Sequence, residues 1–258
     1  MTSLELAERL ADVAAQETLA RFRTPDLRAE SKGAERFDPV TEADRAAEAA
    51  MRALLARERP DDGILGEEAD DVPSRSGQTW VLDPIDGTRA FISGLPVWGT
   101  LIALNDGGAP SLGLIDQPYI GERFLSDGTR ALHRKGGIET PLAVRPCARL
   151  ADATLFSTFP EVGTAAEGAA FHHVAGQCRL TRYGTDCYAY GLLALGQIDL
   201  VIEAGLYAYD IQGPMAVVAG AGGIVTAWDG GPAQDGGRIV AAGDARVHAA
   251  ALEVLSRA

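Results

Sequence analysis

The segment Trp80-Val81-Leu82-Asp83-Pro84-Ile85-Asp86-Gly87-Thr88 constrains this chain more than any other. An apolar run delivers two carboxylates, three residues apart, into a turn that ends in Gly-Thr. Such a pair cannot be buried as unpaired anions, because desolvating each costs several kcal/mol. A strand end that projects it is suited to hold a cation, and hard oxygen ligands suit Mg²⁺. The competing reading is a surface Asp-Pro turn, where both residue types are common for local reasons.

Three further acidic elements tip the balance toward a site, although each has a plainer reading. Glu67-Glu68 follows the short apolar run Ile64-Leu65 and can be a solvated acidic turn continuing to Asp70-Asp71. Asp44 can complete a capping box opened by Thr41. Asp210 precedes Ile211-Gln212-Gly213-Pro214, where a helix start tolerates proline in its first turn. It can cap that helix, hold a metal, or do both through its two oxygens. Gly87-Thr88 supplies the complementary half. Glycine permits close backbone approach, and the first N–H groups of a following helix make an anion site. Anion-binding amides beside paired metal ligands suggest phosphoryl transfer to water, and the Thr88 hydroxyl is near enough in sequence to help position that water.

Composition excludes several classes. No apolar stretch approaches the ~20 residues of a membrane span. The N-terminus reads as a capping box, Thr2-Ser3-Leu4-Glu5, with Leu6, Leu10 and Val13 at helical spacing, rather than as a signal peptide. Three cysteines (Cys147, Cys178 and Cys187), odd in number and without metal-type spacing, predict reduced thiols in a cytoplasm and no structural zinc. A net charge of −13 argues against nucleic acid or an anionic membrane as partner. It admits a small phosphorylated metabolite once bound metals reverse the local field.

The order of elements predicts an α/β fold with a soft boundary near Pro141. Residues 1–140 would form an α+β unit. Helices run from the N-terminus and over about 42–59, and strands from Ile64, Thr79, Trp98, Leu112, Arg123 and Ala131. Residues 141–258 alternate strand and helix, with helices over Tyr188–Leu195, Met215–Ala221 and Ala245–Ser256. The stretch from Ser31 to Asp38 reads as polar and irregular.

Three motifs, in this order and spacing, resemble the inositol monophosphatase superfamily of Mg²⁺-dependent, lithium-sensitive phosphomonoesterases. They are Gly66-Glu67-Glu68, Asp83-Pro84-Ile85-Asp86-Gly87-Thr88, and Tyr209-Asp210 followed by Gly220-Ala221-Gly222-Gly223. With Asp38-Pro39-Val40-Thr41-Glu42-Ala43-Asp44 they span most of the chain. The resemblance implies an αβαβα sandwich, with an N-terminal antiparallel sheet carrying most metal ligands. The C-terminal part would carry a mixed sheet, the substrate pocket and Asp210. It further implies that Glu67, Asp83 and the Ile85 carbonyl hold one Mg²⁺. Asp83, Asp86 and Asp210 would hold a second, and a third ion near Glu67 and Asp44 would be compatible. Gly87 and Thr88 amides would grip the phosphate, while Thr88, Glu67 and Asp44 orient the attacking water. Members are frequently homodimers. One departure is the lysine that members carry just before the Asp-Pro-Val-Thr-like segment: here Lys32 lies seven residues before Pro39.

Within that superfamily, Asp86-Gly87-Thr88-Arg89-Ala90-Phe91-Ile92-Ser93-Gly94, Pro96-Val97-Trp98-Gly99-Thr100 and Arg182-Tyr183-Gly184-Thr185-Asp186-Cys187-Tyr188 are similar to the histidinol-phosphate phosphatase branch. That substrate carries an ammonium and an imidazole, so carboxylates beyond the metals would favour it. Glu203, seven residues before Asp210, and Asp186 are the candidates. Their plainer readings are a strand-end carboxylate and a helix N-cap. Inositol monophosphate, other sugar phosphates and a 3′-phosphorylated nucleotide stand as alternative substrates. A catalytically silent metal-binding subunit is the alternative from another class. His172-His173 reads as a surface helix, Trp80 and Trp98 as core, and Cys187 lacks a general base in sequence.

Overall fold

Thr2 and Glu5 start the chain as the sequence predicts: Glu5 N donates to Thr2 Oγ1 at 3.2 Å and Thr2 N to Glu5 Oε2 at 2.8 Å. The computed structural model describes residues 1–25, 27–31 and 39–256, so Lys32 and Asp38 lie outside the described residues. Helix α1 (Ser3–Leu19) leads to a two-stranded antiparallel ribbon, β1 (Ala29–Ser31) and β2 (Pro39–Thr41), and to α2 (Glu42–Glu58). There follow β3 (Gly63–Gly66), β4 (Thr79–Asp86), α3 (Thr88–Ile92), β5 (Gly99–Asn105), β6 (Leu112–Gln117), β7 (Glu122–Ser126), β8 (Ala131–Lys135) and β9 (Ile138–Pro141). The remainder is β10 (Thr154–Ser157), α4 (Ala165–Ala175), β11 (Leu180–Tyr183), α5 (Tyr188–Ala194), β12 (Leu200–Leu206), α6 (Ala208–Gly220), β13 (Ile224–Ala227), β14 (Gly237–Ala242) and α7 (Ala245–Leu255).

Strands β3 to β9 form one seven-stranded sheet in sequence order, and β11-β10-β12-β14-β13 form a five-stranded mixed sheet. Three apolar clusters fix the layers. Leu6, Leu10, Met51 and Leu55 of α1 and α2 pack on Trp80, Leu82, Ile102 and Leu114 of the first sheet. On its other face, Leu101, Ile115 and Phe124 meet Leu193 of α5 and Val217 of α6, which also contact Val201 and Ile239 of the second sheet. Beyond that sheet, Leu200, Ile202 and Val240 pack on Phe171 and Val174 of α4 and Val247 and Leu255 of α7. The result is an αβαβα sandwich. Alternation along β12 sends Leu200 and Ile202 outward, and Val201 and Glu203 toward the central helices.

The structure differs from the sequence expectation in four places. The first sheet is antiparallel except at its edge, where β3 runs parallel to β4 because the 67–78 excursion returns the chain in the same direction. Strand β9 was not expected; its four residues are all exposed, so it carries no apolar alternation. The short strands at Ala29–Ser31 and Pro39–Thr41 were not expected, and the stretch read as irregular lies, apart from Ser31, outside the described residues. Helix α6 begins at Ala208, well before Met215, so Asp210 is its third residue rather than its N-cap. Trp80 and Trp98 are fully buried, and His172 and His173 are exposed on α4, as read from the sequence.

Candidate active site

Asp83 and Asp86 share a strand, and in a regular strand residues three apart face opposite sides. Here the register slips: Asp83 opposes Leu101 and Asp86 opposes Gly99, so β4 carries one more residue than β5 across that interval. The extra residue re-aims the chain and turns both carboxylates to one side. Pro84 falls within the irregularity, where a missing N–H costs no ladder bond, and its carbonyl accepts from Thr100 Oγ1 at 2.8 Å. Asp210 arrives from the first turn of α6, held by the Tyr207 amide, which donates to its Oδ2 at 2.6 Å. Oxygens of Asp83, Asp86 and Asp210 all lie within 4.8 Å of one another.

Three carboxylates so close resist ionisation. Burial, reinforced by Glu67 and then Asp86, raises Asp83 well above its usual range. Burial and the neighbouring Asp210 push Asp86 up to about 7, despite a 2.6 Å bond from the Cys187 amide to its Oδ2. Burial raises Asp210 to about 7 as well, against the stabilising Tyr207 amide. Asp83 is 1% exposed, and its Oδ1 has no hydrogen-bond partner among the described residues. A buried orphan oxygen beside two more acidic oxygens fits a hard divalent cation, which would supply the missing positive charge.

These groups open onto a cavity of about 850 Å³. Of the residues singled out in the sequence, Glu67, Asp83, Ile85, Asp86, Gly87, Thr88, Asp186, Glu203 and Asp210 line it. Gly87 adopts φ 83°, a left-handed conformation that favours glycine, and starts α3. Asp44 is fully buried and does not line the cavity; it lies behind Thr88. Its Oδ2 accepts from the Thr41 amide at 2.8 Å and hydroxyl at 2.6 Å, and its Oδ1 accepts from Thr88 Oγ1 at 3.4 Å. Asp44 therefore serves the capping box and reaches the cavity through Thr88. The Ile85 carbonyl accepts from the same Thr88 hydroxyl at 3.1 Å.

Glu203 lies within β12, not at a strand end, and is 6% exposed. Thr158 N and Oγ1 donate to its Oε1 at 2.7 and 2.9 Å, and Ser157 Oγ to its Oε2 at 3.2 Å. Burial nevertheless pushes it up to about 8. Asp186 does not cap α5, which starts at Tyr188 with Cys187 before it. It faces Gly87, and burial with nearby Asp86 raises it to about 7. The three cysteines are free, and burial pushes the Cys187 thiol up, away from nucleophilic character.

Sequence reasoning missed two pairs of side chains in the cavity lining. Arg89 places its guanidinium 5.1 Å from the Phe159 ring centre, and Tyr207 and Tyr209 stack at 5.2 Å. All four residues line the cavity. Arg89 and Tyr209 adjoin motif residues and could have been suspected; Phe159, in a loop without pattern, could not.

Comparison with known proteins bears on this geometry. The profile described as the inositol monophosphatase family matches residues 2–257. The chain is 41% identical over 230 residues to the bifunctional phosphatase IMPL2, chloroplastic, of Arabidopsis thaliana, covering 85% of this chain and 66% of that protein, just under two thirds of its length. It is 38% identical over 244 residues to the histidinol-phosphatase of Mycobacterium tuberculosis, covering 92% of each. A solved inositol monophosphatase from Zymomonas mobilis superposes with a TM-score of 0.86 at 42% identity, covering 98% of this chain and 97% of that one. Among the described residues, no helix is long and apolar enough to cross a membrane.

Proposed function

Because the chain belongs to the inositol monophosphatase family, and is by that membership a phosphatase, we propose that it hydrolyses L-histidinol phosphate to L-histidinol and phosphate with Mg²⁺. The observation that carries this is the gathering of Asp83, Asp86 and Asp210 within 4.8 Å, in a cavity whose lining also holds the carboxyl groups of Asp186 and Glu203. The first three, with Glu67 and the Ile85 carbonyl, would hold two or three Mg²⁺ ions. Bound there, the ions would neutralise the phosphate and lower the pKa of a water.

The chain's own groups do the remaining work. Gly87 and Thr88 amides bind the phosphate oxygens. The Thr88 hydroxyl and Glu67 orient a water toward phosphorus, opposite the ester oxygen. As the new P–O bond forms, the water's proton passes through Thr88 to Asp44 Oδ1, already in hydrogen-bonding reach of that hydroxyl. The ester P–O bond breaks, and the departing alkoxide takes a proton from solvent. Asp186 and Glu203 receive the cationic amine or ring. An uncharged polyol can only donate hydroxyl hydrogen bonds to Asp186 and Glu203, whereas a cation adds charge attraction, which is what favours histidinol over inositol.

Free thiols at Cys147, Cys178 and Cys187 suit a reducing cytoplasm, and the family's common assembly suggests a homodimer, to be checked by light scattering. The deciding experiment is phosphate release with Mg²⁺ from histidinol phosphate and from inositol 1-phosphate, side by side. A preference of about tenfold, roughly 1.4 kcal/mol in transition-state binding, assigns the branch. Equal turnover or a preference for inositol 1-phosphate overturns the substrate and leaves the phosphatase.

A further inference from the structure

Glu67 sits on the chain segment that leaves β3, and that segment has no regular structure of its own to hold it. Two side chains of α2 supply the support. Glu48, 1% exposed, accepts from the Glu68 amide through Oε2 at 2.8 Å and from the Ala69 amide through Oε1 at 3.1 Å. Arg52, one turn further along the same face, donates from Nε to Glu48 Oε1 at 2.7 Å. Its two remaining nitrogens donate to the Asp70 and Ala69 carbonyls, each at 2.9 Å. Backbone donors and acceptors over 68–70 are thus bound to one ion pair whose acid is buried and whose base is partly exposed. At Gly66 a β-carbon would come within 2.5 Å of both Glu48 and Arg52, so the strand end lies directly against the pair.

We infer that Glu48 and Arg52 are positioning residues that fix the backbone following Glu67 and so aim its carboxylate into the metal cluster. The inference rests on the reading of Glu67 as a metal ligand. The spacing within α2 gives it content. Asp44 and Glu48 are four residues apart on one helix face. Asp44 holds the Thr88 hydroxyl and Glu48 holds the Glu67 segment. One helix therefore sets the separation between the β3 end and the β4 end of the site. A pair of this kind, with its acid buried, adds little net stability over an apolar replacement, whereas its planar fork fixes geometry. Partners that orient a metal ligand are worth about 10-fold to 100-fold in metal affinity.

The test uses the full chain, stripped with chelator and titrated with Mg²⁺ and Mn²⁺ by calorimetry without phosphate ester present. Glu48→Gln keeps the shape and loses the charge. Arg52→Lys keeps the charge and loses the fork, and serves if the first variant fails to fold. Glu67→Gln reports on the underlying reading. Asp199→Asn breaks an unrelated ion pair, that of buried Asp199 with partly exposed Arg145 at 2.6 and 2.7 Å, and calibrates general destabilisation by melting. The expected result is metal affinity weakened by about 10-fold or more in Glu48→Gln and Arg52→Lys, and at least as much in Glu67→Gln, with Asp199→Asn unchanged. Wild-type affinity in both clamp variants while Glu67→Gln is weakened overturns the inference alone, as does an equal loss in Asp199→Asn. Wild-type affinity in Glu67→Gln removes the metal-ligand reading on which it stands.

Discussion

Asp186 packs its carboxyl against Gly87 so closely that a β-carbon on Gly87 would lie 2.9 Å from Asp186 Cγ. Both residues are left-handed, with φ of 83° and 44°. The next amide, Cys187 N, donates to Asp86 Oδ2 at 2.6 Å. The turn before α5 is therefore keyed into the turn after β4, and neither can shift without the other.

Gly87→Ala should consequently damage the site more than the fold. The left-handed conformation costs a side-chain-bearing residue about 1–2 kcal/mol, and the clash displaces the Asp186 carboxyl as well. We expect kcat/KM to fall by about 100-fold, with melting lowered by only a few degrees. Steady-state kinetics beside calorimetry checks it; unchanged kinetics would show that the two turns are not coupled.

Stability should depend on pH through Glu203, a group outside the metal cluster. Its folded value, about 8, lies above its ordinary 4.5, so the folded state binds the extra proton. The contribution to stability is complete below about 4.5 and is lost as pH rises through about 8. Glu203→Gln imitates the protonated form at every pH. Wild type minus variant stability should therefore fall between pH 5 and 9, by at most about 1.4 kcal/mol per unit, the linkage slope for one proton. Denaturant titrations of metal-free protein across that range decide; a flat difference contradicts the assigned direction.

What the sequence disclosed and what it concealed divide along physical lines. Asp83, Asp86, Gly87 and Thr88 were legible because one short segment carries both the apolar strand and its polar end. Asp44 was legible only as two competing roles, and in the structure the cap does not preclude the other, since one oxygen bonds Thr41 and the other Thr88. Asp210 was read at a helix start and lies in the first turn of α6, at its third position rather than its cap, because the apolar spacing of that helix begins later. Glu48 and Arg52 escaped notice because an i,i+4 acid–base pair on a helix ordinarily marks a solvated face, and only tertiary contact reveals the 68–70 backbone above it. Phe159 and Tyr207 escaped because loop residues bring no periodicity with them.

Substrate choice should separate from catalysis at the two outlying carboxylates. At pH 9, above the values of both groups, Asp186→Asn and Glu203→Gln should each raise KM for histidinol phosphate by about 10-fold, roughly 1.4 kcal/mol. For an uncharged aryl phosphate the same variants should change KM less than about twofold. Parallel kinetics on the two esters gives the answer, and equal effects on both would leave the carboxylates with a structural role only.

Metal dependence gives the sharpest contrast, at Asp83. Its carboxylate is 1% exposed, with an unpartnered Oδ1 among acidic neighbours, so in metal-free protein its charge opposes folding. Asp83→Asn removes that repulsion and should melt higher than wild type in chelator. With Mg²⁺ the order should reverse. Saturating a native site at 100 times its Kd stabilises wild type by about 2.7 kcal/mol, and the variant, deprived of a shared ligand, gains little. Activity should fall at least ~100-fold in the variant at any Mg²⁺ concentration. Melting curves with chelator and with Mg²⁺, set beside phosphate release, test all three expectations at once. A variant that keeps both its Mg²⁺ stabilisation and its turnover would move the metal centre away from the Asp83, Asp86 and Asp210 cluster.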